Sequence, residues 1–159
     1  MHRTALGAGA LSDEWATDRL PAHMRRADFV FLVARGDGDA ILGFAYGYTG
    51  EYGQWWTERV AQALTDEQRA DWLDPPHFEV VELHVRPAWQ RTGIGSALLA
   101  QLLTRQPHDR ALLSTQAGSR KARGFYAKNG WRELAEVDFG PGYPPYLVLG
   151  KRVTARDGI

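Results

Sequence analysis

The 159-residue sequence contains no cysteine, and that one absence removes disulfides, thiolate metal sites and a cysteine nucleophile together. It suits a reducing compartment, so the cytoplasm is the expected location and no metal site is expected. The chain also lacks net charge, because 19 Lys plus Arg balance 19 Asp plus Glu. No overall field therefore draws it to nucleic acid or to an anionic membrane, and neither is expected as a partner. No apolar run approaches the roughly 20 residues of a membrane-spanning helix. The opening stretch MHRTALGAGALSDEW lacks the long apolar core of a secretory signal. Internal repeats and long low-complexity blocks are missing too. What remains is the composition of a folded protein, 44% hydrophobic with six Trp, at a length that suits one domain over residues 1–159.

Local signals order the elements. Ser12 to Arg26 has a capping serine, acids in its first turn and basic residues at its end, which predicts a helix broken or kinked at Pro21. Phe29 to Ala34 is a continuous apolar run of strand length, and the GDGD that follows predicts a hairpin. In its return strand, Ile41 to Tyr48, the bulky Leu42, Phe44, Tyr46 and Tyr48 share one face and Ile41, Gly43, Ala45 and Gly47 the other. The small face suits either close packing or a ligand. Trp55 to Leu73 reads as two short helices, the second restarted by the cap Thr65-Asp66-Glu67-Gln68 and stopped before Pro75-Pro76. A strand from Glu79 to Arg86 ends at Pro87. A helix faced by Ile94, Leu98, Leu99, Leu102 and Leu103 follows, then a short strand from Ala111 to Ser114. A helix over Ser119 to Asn129 stops at Gly130, and strands near Trp131–Asp138 and Tyr146–Arg152 flank GPGYPP. The order predicts a mixed α/β sandwich.

Between the strand ending at Arg86 and the leucine-faced helix lies QRTGIG, Gln90 to Gly95. A strand, a glycine loop and a helix start gather free backbone N–H groups and the positive helix end into an anion site suited to phosphate. Arg91 can add charge-assisted contacts. A P-loop would need Gly-Lys-Ser/Thr, and here Gly95 is followed by Ser96-Ala97, which argues against nucleotide hydrolysis. A dinucleotide fingerprint would need a third glycine where Leu98 stands.

The run ELHVRPAWQRTGIGSALL resembles the acetyl-CoA signature of the GNAT family of N-acetyltransferases: a strand ending V-x-P, then Q/R-x-x-G-x-G/A, then an apolar helix. A second stretch, ARGFYAKNGW, is similar to that family's later A-x-x-F-Y-x-K-x-G-F signature, with Trp131 for the final Phe. The resemblance covers about Phe29 to Arg152 and implies a mixed, mostly antiparallel central sheet with helices on both faces. It implies N-acetyltransferase activity, with acetyl-CoA or another acyl-CoA as acyl donor and CoA as product. The pantetheine arm would pair with the backbone of Leu83, His84 and Val85. The pyrophosphate would lie on Gln90, Arg91, Thr92, Gly93, Ile94, Gly95 and Ser96.

Acyl transfer to an amine needs an unprotonated amine and a proton for the departing thiolate. Tyr126 matches the family's motif tyrosine, which implies a general acid; by itself it reads as an aromatic packed beside Phe125. Glu82 shares a strand face with Val80 and His84, and an interior carboxylate wants a partner or a task. The resemblance makes Glu82 the first candidate for the base and His84 the second. The plainer alternative pairs Glu82 with Arg86 or Arg91. Ser119 stands where many relatives have a cofactor-contacting Asn, and Arg120 and Arg123 are either phosphate contacts or solvated helix charges.

Two departures from the family bear on the acceptor. Only about 28 residues precede Phe29, so the family's first strand is expected to be missing or displaced, with ALGAGAL a poor substitute or a second subunit, as in a homodimer, covering the edge. The helical segment 51–77 borders the acceptor side in relatives, so Trp55, Trp56 and Trp72 are candidates to roof the acceptor site, although core packing by at least two of them is expected. Tyr46, Tyr48 and Tyr143 are candidates for its walls. Aromatic walls favour a small-molecule amine, with a protein N-terminus or lysine, or a non-catalytic acyl-CoA sensor, as the alternatives.

Overall fold

The computed structural model describes residues 14–154. The expected cap Ser12 and the stretch ALGAGAL lie outside them. By internal contacts the chain divides into two units, 1–49 with 80–107 and 50–79 with 108–159. Among the described residues, six strands follow the order β1-β2-β3-β4-β6-β5, namely β1 Val30–Arg35, β2 Ile41–Gly50, β3 His77–Val85, β4 Arg110–Gln116, β5 Arg132–Val137 and β6 Tyr146–Arg152. The pairs β1/β2, β4/β6 and β5/β6 are antiparallel. The parallel pair β3/β4 is in register at Phe78↔Ala111 and Glu79↔Leu112. The mixed, mostly antiparallel sheet is the one expected.

In the first unit, Trp15–Arg19 forms a wide turn in which the Leu20 N–H reaches the Trp15 carbonyl. Helix α1, Leu20–Met24, then starts with Pro21 in its first turn. Proline has no N–H to return to the preceding turn, so the hydrogen bonding widens before it. Arg19 and Leu20 keep helical geometry, so the expected break or kink at Pro21 amounts to this change of bonding, with the helix running on to Met24. Strand β1 departs from the continuous buried run expected of FVFLVA: Val30, Leu32 and Ala34 are half-buried and Phe31, Val33 and Arg35 are exposed. It is the outermost strand in the order of the described strands, and the apolar side chains of one of its faces remain at the surface. Gly36 N–H to Ala40 carbonyl closes the hairpin at 2.7 Å.

Every residue of β2 after Ile41 is buried. Its bulky face holds Phe44, Tyr46 and Tyr48 together with Trp15, and Leu20, Phe29 and Val81 pack on that cluster. Its small face is bare for a packing reason at Gly43. A Cβ there would lie 2.5 Å from the His84 carbonyl oxygen, so glycine is what lets β2 approach β3. Helix α4, Ile94–Thr104, packs near β1 and buries Leu98, Leu99, Leu102 and Leu103, the face expected from their spacing.

In the second unit, α2, Trp55–Ala63, is followed by α3, Asp66–Gln68, which runs into a wide turn Arg69–Leu73. Thr65 forms the expected capping box: its Oγ1 accepts from the Gln68 N–H at 3.1 Å, and its N–H donates to Gln68 Oε1 at 3.0 Å. The core gathers Val60, Leu64, Trp72, Leu73, Leu112, Val137, Phe139 and Val148. Full burial of each such side chain contributes roughly 1.5–3 kcal/mol. Strand β4 is longer than the apolar Ala111–Ser114 suggested, because its ladder with β6 runs from Arg110↔Arg152 to Gln116↔Tyr146 and includes polar ends. Helix α5, Arg120–Lys128, carries Ser119 as its N-cap.

Candidate active site

At the end of β3, the Arg86 N–H donates to the Leu42 carbonyl at 2.8 Å and its Nε to the Ile41 carbonyl at 2.6 Å. This guanidinium is used to tie strand to strand, and it is not the partner of Glu82. A single turn, Pro87–Trp89, leads into the glycine loop. Gln90 Nε2 donates back to the Val85 carbonyl at 3.1 Å and Thr92 Oγ1 donates to the Trp89 carbonyl, so two loop side chains hold its course. Within it Arg91 and Gly93 both take positive φ, 63° and 92°. A left-handed arginine costs energy and persists only where its surroundings impose it, which happens most at functional sites.

Gly93 is the N-cap of α4 and offers no side-chain acceptor. The first helical bond runs from the Ala97 N–H to the Gly93 carbonyl at 3.0 Å. The N–H groups of Ile94, Gly95 and Ser96 thus precede the helix ladder with no side-chain cap, in an 11-residue helix anchored by four buried leucines. A Cβ on Gly93 would meet nothing within 4 Å, which leaves room for an anion to approach the backbone.

Glu82 and His84 are brought together: His84 Nε2 and Glu82 Oε2 lie 2.5 Å apart. Alternation placed the two on one face, and the structure makes them partners, where the plainer alternative had paired Glu82 with Arg86 or Arg91. The His84 ring centroid sits 5.1 Å from that of Phe44. Leu83 and Val85 flank His84, half-buried.

In the second unit, Ser119 Oγ accepts from the Ala122 N–H at 3.2 Å, so the serine caps α5. Arg123 grips Glu133 with two donors at 2.8 and 2.9 Å and gives a third to the Ala117 carbonyl. Hydrogen bonds and charge from Glu133 raise the pKa of this arginine above its ordinary value. Arg123 would reach a phosphate only by giving up Glu133. Tyr126 is half-buried, its ring edge-on to Phe125 at 5.2 Å and to Trp131 at 6.1 Å.

The three tryptophans divide as expected, two to the interior. Trp72 is buried with the guanidinium groups of Arg152 and Arg132 at 4.4 and 5.2 Å from its ring, and Trp56 Nε1 donates to Ser114 Oγ at 3.0 Å against the core. Trp55 stays 51% exposed and meets Phe139 at 5.4 Å and Tyr143 at 6.2 Å. Trp55, a candidate for the roof, and Tyr143, a candidate for the walls, do come together. Tyr46 and Tyr48 do not join any open wall. Both are buried, and their hydroxyls are spoken for: Trp15 Nε1 donates to Tyr46 at 3.1 Å, His23 Nδ1 lies 2.9 Å from it, and Arg26 donates to Tyr48. Burial, with Arg26 and Arg19 adding to it, pushes the His23 pKa down to about 4, so this imidazole is neutral at pH 7. Nothing in the local sequence marked this cluster, since Trp15 and Tyr46 are 31 residues apart.

The family model described as "Acetyltransferase (GNAT) family" matches residues 7–131. A GCN5-like protein acetyltransferase of Mycobacterium tuberculosis is 34% identical over 122 residues, 70% of this chain and 58% of the relative, so the chain spans little more than half of that relative's length. The ribosomal-protein-S18-alanine N-acetyltransferase from Escherichia coli superposes with a TM-score of 0.63 at 16% identity, covering 95% of this chain and 82% of that one. The PaiA N-acetyltransferase from Thermoplasma acidophilum, solved with coenzyme A, gives a TM-score of 0.56 at 16% identity over 88% of this chain and 73% of that one. With both signature stretches inside the matched region, the chain belongs to the GNAT family of acetyltransferases.

Proposed function

We propose that the chain is an acetyl-CoA-dependent N-acetyltransferase whose acceptor is the primary amine of a small molecule. The observation that carries this reading is the head of α4: a left-handed glycine, uncapped N–H groups and a leucine-anchored helix directly after β3. Gln90 to Ser96 would take the donor's pyrophosphate, and the backbone of Leu83, His84 and Val85 its pantetheine arm. The amine nitrogen attacks the thioester carbonyl and the C–S bond breaks. Glu82 takes the proton that the nitrogen loses. Tyr126 protonates the departing thiolate, which leaves as CoA. The exposed pair Trp55 and Tyr143 supports an acceptor with an apolar or aromatic body.

A second reading, transfer to a protein amine, is favoured by the printed name of the M. tuberculosis relative, a protein acetyltransferase. One assay separates the two: acetyl-CoA with a panel of small amines and, in parallel, a set of peptides with free N-termini or lysines, followed by thiol release and product mass. Acetylation of small amines alone supports the proposal. Acetylation of peptides alone replaces it, and thiol release with neither acceptor refutes both.

A further inference from the structure

We propose that His84 is the positioning residue of Glu82: its Nε2–H fixes one carboxylate oxygen so that the other takes the proton of the attacking amine. The assignment rests on the acetyltransferase reading above and deepens it. The two nitrogens of the ring have opposite surroundings. Nε2 lies 2.5 Å from Glu82 Oε2, while Nδ1 is buried with no hydrogen-bond partner among the described residues.

A contact that short holds one hydrogen between the two atoms, and three arrangements supply it. An imidazolium on a carboxylate would carry a second hydrogen at Nδ1. A protonated Glu82 donating to Nε2 would leave the neutral ring its hydrogen at Nδ1 as well. Both bury an N–H donor with nothing to accept it, and buried orphan donors are the rarer and costlier fault. Only the neutral ring with its hydrogen on Nε2, donating to an ionised Glu82, leaves Nδ1 bare.

That tautomer decides between the two candidate bases. His84 has no lone pair accessible to an amine: Nε2 carries the hydrogen, and Nδ1 is buried in a ring that packs against Phe44, itself 2% exposed. Glu82 is the more open partner, with 22% of its side chain exposed against 9% for His84. The amine proton therefore goes to the oxygen of Glu82 that His84 does not hold, and His84 keeps its own proton throughout. The division of labour reverses that of a histidine base oriented by a carboxylate.

Long-range proton–nitrogen NMR of the histidine side chains reads the tautomer without any acceptor, with His84→Asn assigning the signal among the five histidines. The expected result is an Nε2–H tautomer whose Nε2–H signal moves in Glu82→Gln. An Nδ1–H tautomer, or a signal that Glu82→Gln leaves in place, overturns the assignment. Kinetics with the amine or peptide that the wild type acetylates give the functional half. His84→Ala should lower kcat by about tenfold or more with the KM for acetyl-CoA unchanged, and His84→Gln, which restores an N–H donor, should recover part of the loss. An unchanged kcat in His84→Ala, or full activity in Glu82→Gln, contradicts the proposal. A wild type that binds no acetyl-CoA would instead refute the acetyltransferase reading, while the tautomer still decides the pairing.

Discussion

Alanine at Gly93 isolates backbone conformation at the candidate donor site. Gly93 has φ 92° and ψ −4°, and a Cβ built there meets no atom within 4 Å. The substitution therefore carries no clash, only the cost of holding an L-residue left-handed, about 1–2 kcal/mol. At about 2–4 °C per kcal/mol for a chain of this size, the melting temperature should fall by about 2–8 °C. On the proposed donor site a phosphate would approach the N–H groups of α4 beside this methyl group, so acetyl-CoA affinity should fall by about tenfold or more, an added loss of about 1.4 kcal/mol or more. Gly53→Ala is the control: φ is 97° and its Cβ also meets nothing within 4 Å, so it should lose similar stability and keep wild-type acetyl-CoA affinity. Urea denaturation and calorimetric titration read the two quantities separately. Wild-type affinity in Gly93→Ala, or equal affinity losses in both variants, would refute the reasoning.

Gly43→Ala should cost about 1–3 kcal/mol in urea denaturation, because its Cβ would press on the His84 backbone oxygen and force β2 from β3; a loss below about 0.5 kcal/mol would argue against that close approach. Thr65→Ala removes one half of a capping box and should destabilise by about 1 kcal/mol in the same assay. Because the folded-state pKa of His23 is about 4, below its ordinary 6.5, the unfolded chain takes up the proton first as pH falls. Stability should decline from pH 6.5 to about 4, His23→Asn should remove that part of the decline, and an NMR midpoint near 6.5 would contradict the burial argument. Tyr126→Phe should lower turnover with little change in acetyl-CoA affinity, and equal turnover would leave Tyr126 a packing residue.

What was legible in the sequence is what depends on neighbours within a turn or two. The Thr65 box, the leucine face of α4 and the glycine loop are all local, and each formed where its residues predicted. The strand face shared by Glu82 and His84 was also legible, because alternation is local. Their partnership was not, since it depends on Arg86 being drawn away to the Ile41 carbonyl 45 residues back. Tyr46 and Tyr48 misled for the same reason. Their spacing describes a bulky strand face, but whether that face meets solvent or Trp15, His23 and Arg26 is decided by a segment some twenty to thirty residues upstream. The alternating exposure of β1 depends on what packs on each of its faces, which no local pattern encodes.

Titration of acetyl-CoA into the wild-type chain tests the central claim most directly. The account predicts saturable binding at one site, matched by thermal stabilisation that grows with ligand, about 2.7 kcal/mol at a hundredfold excess over Kd. Absence of both heat and stabilisation, with acetyl-CoA and with CoA, would contradict it.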